Sequence, residues 1–276
     1  MADLNTVFCL VYYFAYEPDP HSLRVEPPYA NKNTEVFVSL GLEKKAVMPS
    51  IPRGLRMDIF NRMMKFNGSR GHPAVLQTAQ WYCDAVIDEL HVFSKVMIAT
   101  CFWMARKMYG PVYNARRILI DTTKAYECKL LLVTEKKMLQ ILKSPISPVV
   151  PQIFINYLSR CDLHRKVETV LAATFICVAV TMVGQTLAEE YPSVLAAAAV
   201  HNAVLLLQKP RAMDILATNE LYKAAAGKTQ SLSTICDMQK MAIRIVAAQK
   251  CKRLVEYFNK EPHCIASKII RSIDLR

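Results

Sequence analysis

The run Val170 to Leu187, VLAATFICVAVTMVGQTL, carries no charge over eighteen residues, and after an acidic turn at Glu189 and Glu190 the segment Val194 to Leu207 is apolar again. Chain this apolar belongs either at the centre of a protein core or inside a bilayer, and the choice governs everything around it. As a membrane hairpin it would put Arg165, Lys166, Lys209 and Arg211 on one side and the two glutamates on the other. Against that, both segments fall short of the roughly 20 apolar residues of a span. Thr174, Thr181, Gln185, His201 and Asn202 also lower the drive to insert. The many alanines suit close helix packing, so the expectation is a buried helical hairpin in a soluble chain.

The rest of the composition agrees with helices. The 276 residues include only seven glycines, too few to punctuate a many-turned β-sandwich, while 53% apolar content is ample for a core. The expected fold is mostly all-α: two helical lobes with an extended N-terminal arm, which can include one β-hairpin, and a short C-terminal arm. The arm, residues 1–42, combines an aromatic run (Phe8 to Tyr16), the proline-rich EPDPHSLRVEPPYANKN and the β-branched EVFVS from Glu35 to Ser39. The first lobe, 43–143, holds a long helical pattern from Ala74 to Tyr109 stopped by Gly110 and Pro111, then helices from Tyr113 to Glu127 and from Glu135 to Lys143. Pro145, Pro148 and Pro151 make 144–151 a linker. The second lobe, 152–260, reads as helices at Gln152–Ser159, Lys166–Ala188, Ser193–Gln208, Arg211–Ala226 and Ile235–Asn259. In the last of these, Thr234 and Asp237 stand at capping-box spacing. Residues 261–276, with ASKIIRSIDLR, read as a basic arm.

Chemistry-bearing patterns are weak. Gly227, Lys228 and Thr229 resemble the tail of a phosphate loop, but Tyr222 stands where its first glycine belongs, so a helix-ending glycine explains them better. Cys161 with His164, and His263 with Cys264, have metal-ligand character without a second zinc-type pair. His21, His72, His91 and His201 lack a recognisable catalytic partner, and His201 reads as a hydrogen-bonded core histidine. NGSRGHP, residues 67 to 73, is either a phosphate-holding loop or a plain connection. No catalytic residue, metal or cofactor is expected, and neither is an enzyme. Nine cysteines without a C-x-x-C pair imply reduced thiols, and Asp3 is wrong for a signal peptide. The expected location is intracellular.

Charge is the stronger signal. The net charge is +12, and it is clustered: Glu43 to Arg70 holds seven basic residues against two acidic, and Arg106 to Lys143 holds nine against three. Such a chain meets a polyanion, nucleic acid or an acidic membrane. In FWMARKMYGPVYNARRILIDTTKAYECK, cations that neutralise phosphates alternate with aromatic faces that stack on bases. The alternative is that Phe102 and Trp103 are core and the charges a solvated helix face. The expected single-stranded RNA contacts are Arg53, Arg56, Arg62, Lys65 and Arg70 facing Arg106, Lys107, Tyr109, Tyr113, Arg116, Arg117 and Lys124 across one cleft.

Two helical lobes joined by a proline linker, with basic clusters on the first and an arm at each end, resemble in outline the small helical nucleoproteins of segmented negative-strand RNA viruses. That resemblance implies sequence-independent encapsidation of RNA without catalysis, and homo-oligomers linked through the arms. It also implies contact with a viral polymerase or an anionic membrane, in the host cytoplasm and the virion. The alternative is an influenza-type matrix protein that puts the same charge on anionic lipid and ribonucleoprotein.

Overall fold

The structure, a computed structural model, describes residues 32–45, 51–67, 72–90, 95–109, 128–142, 148–184, 189–249, 251–260 and 262–274. Among them are thirteen helices and no strand, as the glycine-poor, apolar sequence implies. They belong to two compact units, one within Lys65–Pro148, the other made of Lys32–Met64 and Val149–Arg276. The second chain crossing, at Pro148 and Val149, falls in the expected proline linker. The first does not: residues 43–64, assigned by sequence to the first lobe, pack with the second.

Helix α1 (Lys32–Leu42) stands where the sequence implied an extended arm and a β-branched strand. For residues 32–42 that expectation is corrected; the rest of the expected arm, 1–31, lies outside the described residues. Helix propensities differ by only a few tenths of a kcal/mol per residue, so local packing overrides them. Val36 is buried, and Phe37 meets Tyr157 edge-on with ring centroids 6.5 Å apart. Helix α2 (Arg53–Asn67) buries Met57, Ile59, Phe60, Met63 and Met64 and leaves Arg53, Arg62 and Lys65 exposed.

In the first unit, α3 (Pro73–Leu90), α4 (Lys95–Tyr109) and α5 (Cys128–Leu142) pack against one another. The single helix expected from Ala74 to Tyr109 is therefore two. One continuous rod would have left its apolar stripe open; two packed helices cover each other's. His72 starts α3 by accepting a hydrogen bond from Ala74 N–H on Nδ1 at 3.2 Å. The ring stacks on Tyr109, 5.7 Å between centroids and 5° between planes. Burial, then the nearby Arg106 charge, lowers its pKa to about 4, so it stays neutral and keeps the cap.

The second unit is built around the run that most constrained the sequence. Pro151, the last linker proline, opens α6 (Pro151–Leu158), which runs into a 3-10 turn at Ser159–Cys161. Helices α7 (Lys166–Val183) and α8 (Pro192–Leu206) follow as a packed pair. They are joined by α9 (Pro210–Thr218), α10 (Glu220–Ala226), α11 (Leu232–Ala248), α12 (Lys252–Phe258) and α13 (Ile265–Asp274). Helix α8 touches α6, α7, α9, α10, α11 and α13, and 13 of its 15 residues are buried. It is apolar all round because it has protein on all sides. By length and composition α7 could cross a bilayer, yet 67% of its apolar window is covered by the protein itself. Asn202 Nδ2 donates to Cys236 O (2.9 Å) and Gln239 Oε1 (3.0 Å), and Gln239 Nε2 to Leu195 O (2.9 Å), fixing the register of α8 on α11.

Two further expectations are corrected. The C-terminal residues are not an arm: α13 buries Ile265, Ala266, Ile269 and Ile273 and packs on α7, α11 and α12. Its isoleucines recur every four residues, a helical stripe that basic neighbours masked in the sequence. The cap of α11 is Ser231, whose hydroxyl accepts from Thr234 N–H at 3.2 Å, so the helix starts earlier than Thr234 and Asp237 implied. Gly227 ends α10 as expected, with right-handed φ of −68°.

Candidate functional site

The most concentrated polar chemistry of the first unit lies where α4 ends beside α5. Trp103 and Lys107 are one turn apart on α4, and Glu135 faces them from α5. The Trp103 indole donates to Glu135 Oε2 at 3.0 Å, and the Lys107 ammonium donates to Glu135 Oε1. Lys107 Nζ also lies 5.2 Å from the centre of the Trp103 ring. Trp103 and Glu135 are buried while Lys107 is partly exposed. Beneath, the Tyr82 hydroxyl donates to Met108 Sδ at 2.9 Å. Burial, then Tyr109, Cys101 and Glu135, raises its pKa far beyond neutral pH, so the phenol stays protonated.

Glu135 shares the buried stripe of α5 with Leu131 and Met138. A carboxylate on an apolar stripe must find partners, and it finds an indole and an ammonium. In the sequence Glu135 counts as an acid within a basic cluster and as the start of the helix expected from Glu135 to Lys143, whereas the helix begins at Cys128; its place on the stripe is the signal that marks it. The opposite face of α5 is open and mixed. Leu130, Leu132 and Val133 are exposed there, together with Lys129, Lys136 and Lys137. A lysine has three donors and a carboxylate about four acceptor positions, so the pair keeps capacity for the backbone groups of a partner.

The described members of the expected RNA set have different surroundings. Arg56 is 2% exposed and its Nε donates to Thr181 O at 3.1 Å. Lys107 is taken up by Glu135, and Tyr109 accepts from Thr78 Oγ1 at 3.4 Å while stacking on His72. Arg56 is interior, while Lys107 and Tyr109 are half-buried with their polar ends engaged inside the first unit. Arg106 is half-buried beside His72. Trp103 and Phe102 are core. Arg53, Arg56 and Arg62 belong to the second unit, whereas Lys65, Arg106, Lys107 and Tyr109 belong to the first. Arg70, Tyr113, Arg116, Arg117 and Lys124, the helix expected from Tyr113 to Glu127 and most of NGSRGHP lie outside the described residues.

His21 and His91 lie outside the described residues, and the described members of the other sequence candidates meet no reactive partner. Cys161 is buried and His164 exposed, and among the described residues no group of three or more His, Cys, Asp or Glu could hold a metal ion. Burial raises the Cys161 and Cys236 thiols to about 11, which keeps them protonated. His201 is half-buried, bonded through Nδ1 to the Tyr222 hydroxyl at 2.9 Å and stacked on that ring. Lys228, the lysine of the failed phosphate motif, donates instead to Glu43 Oε1 (2.6 Å) and Leu40 O (2.8 Å).

No protein-family model matches the chain, and no curated protein matches it in sequence. Its fold has a counterpart among solved structures. The crystal structure of a viral cyclin from herpesvirus saimiri superposes with a TM-score of 0.56 at 13% identity, covering 77% of this chain and 98% of the cyclin. At that identity the likeness is one of fold alone, and it fits a mostly all-α chain.

Proposed function

We propose that this chain is a cyclin-type regulatory protein, a non-catalytic helical module that docks on a partner protein and controls it, and that this partner is a protein kinase. The observation that carries the reading is the extent of the structural likeness, nearly the whole of a cyclin chain. The Trp103–Lys107–Glu135 cluster supports it. Beside the face of α5 that exposes Leu130, Leu132 and Val133, it offers a held ion pair whose lysine keeps hydrogen-bonding capacity at the surface. The partner expected there presents a helix or strand with apolar and acidic side chains.

The test is affinity purification of the tagged full chain from extracts of dividing cells, with the eluate assayed for protein phosphorylation. Wild type retains kinase activity; Lys107→Glu and Val133→Asp each lose most of it. Eluates without kinase activity from wild type would overturn the reading.

RNA encapsidation is the second reading. It is favoured by the net charge of +12 and by exposed Arg62 and Lys65. In that case the same eluate carries nuclease-sensitive absorbance at 260 nm, and the matrix alternative is met if it binds anionic vesicles instead.

A further inference from the structure

The second unit contains a cleft of about 490 Å³ that the docking cluster does not use. It opens where the segment between the 3-10 turn and α7 meets the start of α9. Its interior is apolar: Leu163 and Ile215 stand at its mouth, 76% and 40% exposed, with Pro210 and Ala212 among its lining residues. Together Leu163 and Ile215 set two exposed aliphatic side chains at the edge of a concave apolar surface.

The surround is positive. Of the lining charges, the one carboxylate is spent. Asp162 Oδ2 accepts from Lys209 Nζ (2.5 Å) and Thr169 Oγ1 (2.6 Å), and its Oδ1 accepts from Arg165 N–H (3.0 Å). Burial opposes ionisation of Asp162, but the bonds from Lys209, Thr169 and Arg165 outweigh it and lower its pKa, so the Asp162–Lys209 pair stays internally neutral. Two cations remain turned to solvent. Arg165 is largely exposed, 3.8 Å from Glu168, and exposed Arg211 has no carboxylate partner among the described residues. Lys209 also stands at the start of α9, where no side chain caps the helix and its first turn holds no acid, so the positive end of that helix adds to the same field.

We propose that this cleft binds a short linear peptide segment of a partner protein: one bulky aliphatic or aromatic side chain enters between Leu163 and Ile215, and acidic residues flanking it meet Arg165 and Arg211. The volume lies in the range of sites that take a small ligand or a few side chains, not a folded surface. Paired apolar and cationic walls match an acidic, apolar peptide by charge and by shape. Single-stranded RNA is disfavoured, because bases need aromatic faces and, among the described residues, the one aromatic ring in the lining is His164. The cleft lies within the second unit, so the inference does not depend on what the first unit binds.

The test is selection of a phage-displayed library of random peptides about a dozen residues long on the full chain, followed by anisotropy of the fluorescein-labelled consensus. The expected consensus is a large apolar residue flanked by Asp or Glu. Leu163→Asp and Ile215→Asp each weaken its binding by about tenfold or more. Arg211→Glu weakens it similarly, reduces its salt dependence and improves binding of the peptide whose acids are changed to lysine. The three positions are exposed, so melting temperatures stay near that of wild type and the loss reads as binding. No enrichment, a consensus without acids, unchanged affinity in Leu163→Asp, Ile215→Asp and Arg211→Glu alike, or displacement of the peptide by poly-U RNA overturns the proposal.

Discussion

Two buried glutamates, each paired with one lysine, do different work in the two units. Glu43, in the second, has a fully buried side chain and is saturated: Ser193 N–H donates to Oε2 (2.7 Å), and Ser193 Oγ (2.5 Å) and Lys228 Nζ (2.6 Å) donate to Oε1. It caps the start of α8 from far away in sequence and closes the segment after α1 onto α8 and α10. Glu135, in the first unit, takes donors from a single neighbouring helix and lies beside a partly open lysine and an exposed apolar face. A carboxylate whose acceptors are filled and dry holds a fold together. One with capacity left near solvent is placed to be completed by something else.

The largest expected effect tests the saturated side. Glu43→Ala leaves Lys228 and the α8 terminus without their acceptor, and thermal melting should show a loss of about 3–5 kcal/mol, the range for breaking a buried pair. A loss below about 1 kcal/mol, the scale of a surface pair, would put Glu43 on the same footing as Glu135.

Next comes pH, which acts on the first unit through His72. Its folded pKa of about 4 lies below the ordinary 6.5, so the unfolded chain binds the proton first as pH falls. Stability contributed by the neutral, capping ring is complete above about pH 6.5 and is lost between there and pH 4, on the order of 2–3 kcal/mol. His72→Asn keeps a capping acceptor without the titration, so its stability profile in that window is flatter than that of wild type.

Smaller still is the cost of removing the open pair. Glu135→Ala should cost about 1–2 kcal/mol, because Lys107 can turn to water. The double change Lys107→Met with Glu135→Leu should be within about 1 kcal/mol of wild type in urea unfolding while abolishing partner retention. If retention survives, the cluster is scaffolding like Glu43 and the contrast fails. The smallest expected effect belongs to Arg62→Ala with Lys65→Ala, within about 0.5 kcal/mol in stability. If RNA is the partner, that variant also has a shallower dependence of poly-U affinity on salt.

Much of the fold was legible before any coordinates. Seven glycines and the apolar run Val170 to Leu187 implied helices around a buried hairpin, and α7 and α8 are that hairpin. These properties are local or compositional: periodicity, breakers and the cost of exposing apolar surface act on contiguous chain. What failed depended on distant partners. EVFVS has strand-forming residues, yet Val36 and Phe37 found helical neighbours, and Ile265, Ile269 and Ile273 found a surface to cover.

The site was less legible than the fold, for the same reason. Sequence alone determined the helical class, the apolar centre and the amount of positive charge, because each is a sum over residues or a short repeat. Only the tertiary structure decided which charges are free to act. Arg56 lies 125 residues from the carbonyl it bonds, Lys107 lies 28 from Glu135, and Lys228 lies 185 from Glu43. A charge becomes structural or available according to what the fold brings within about 3 Å of it, and hydrogen bonds at that range carry no trace in local sequence.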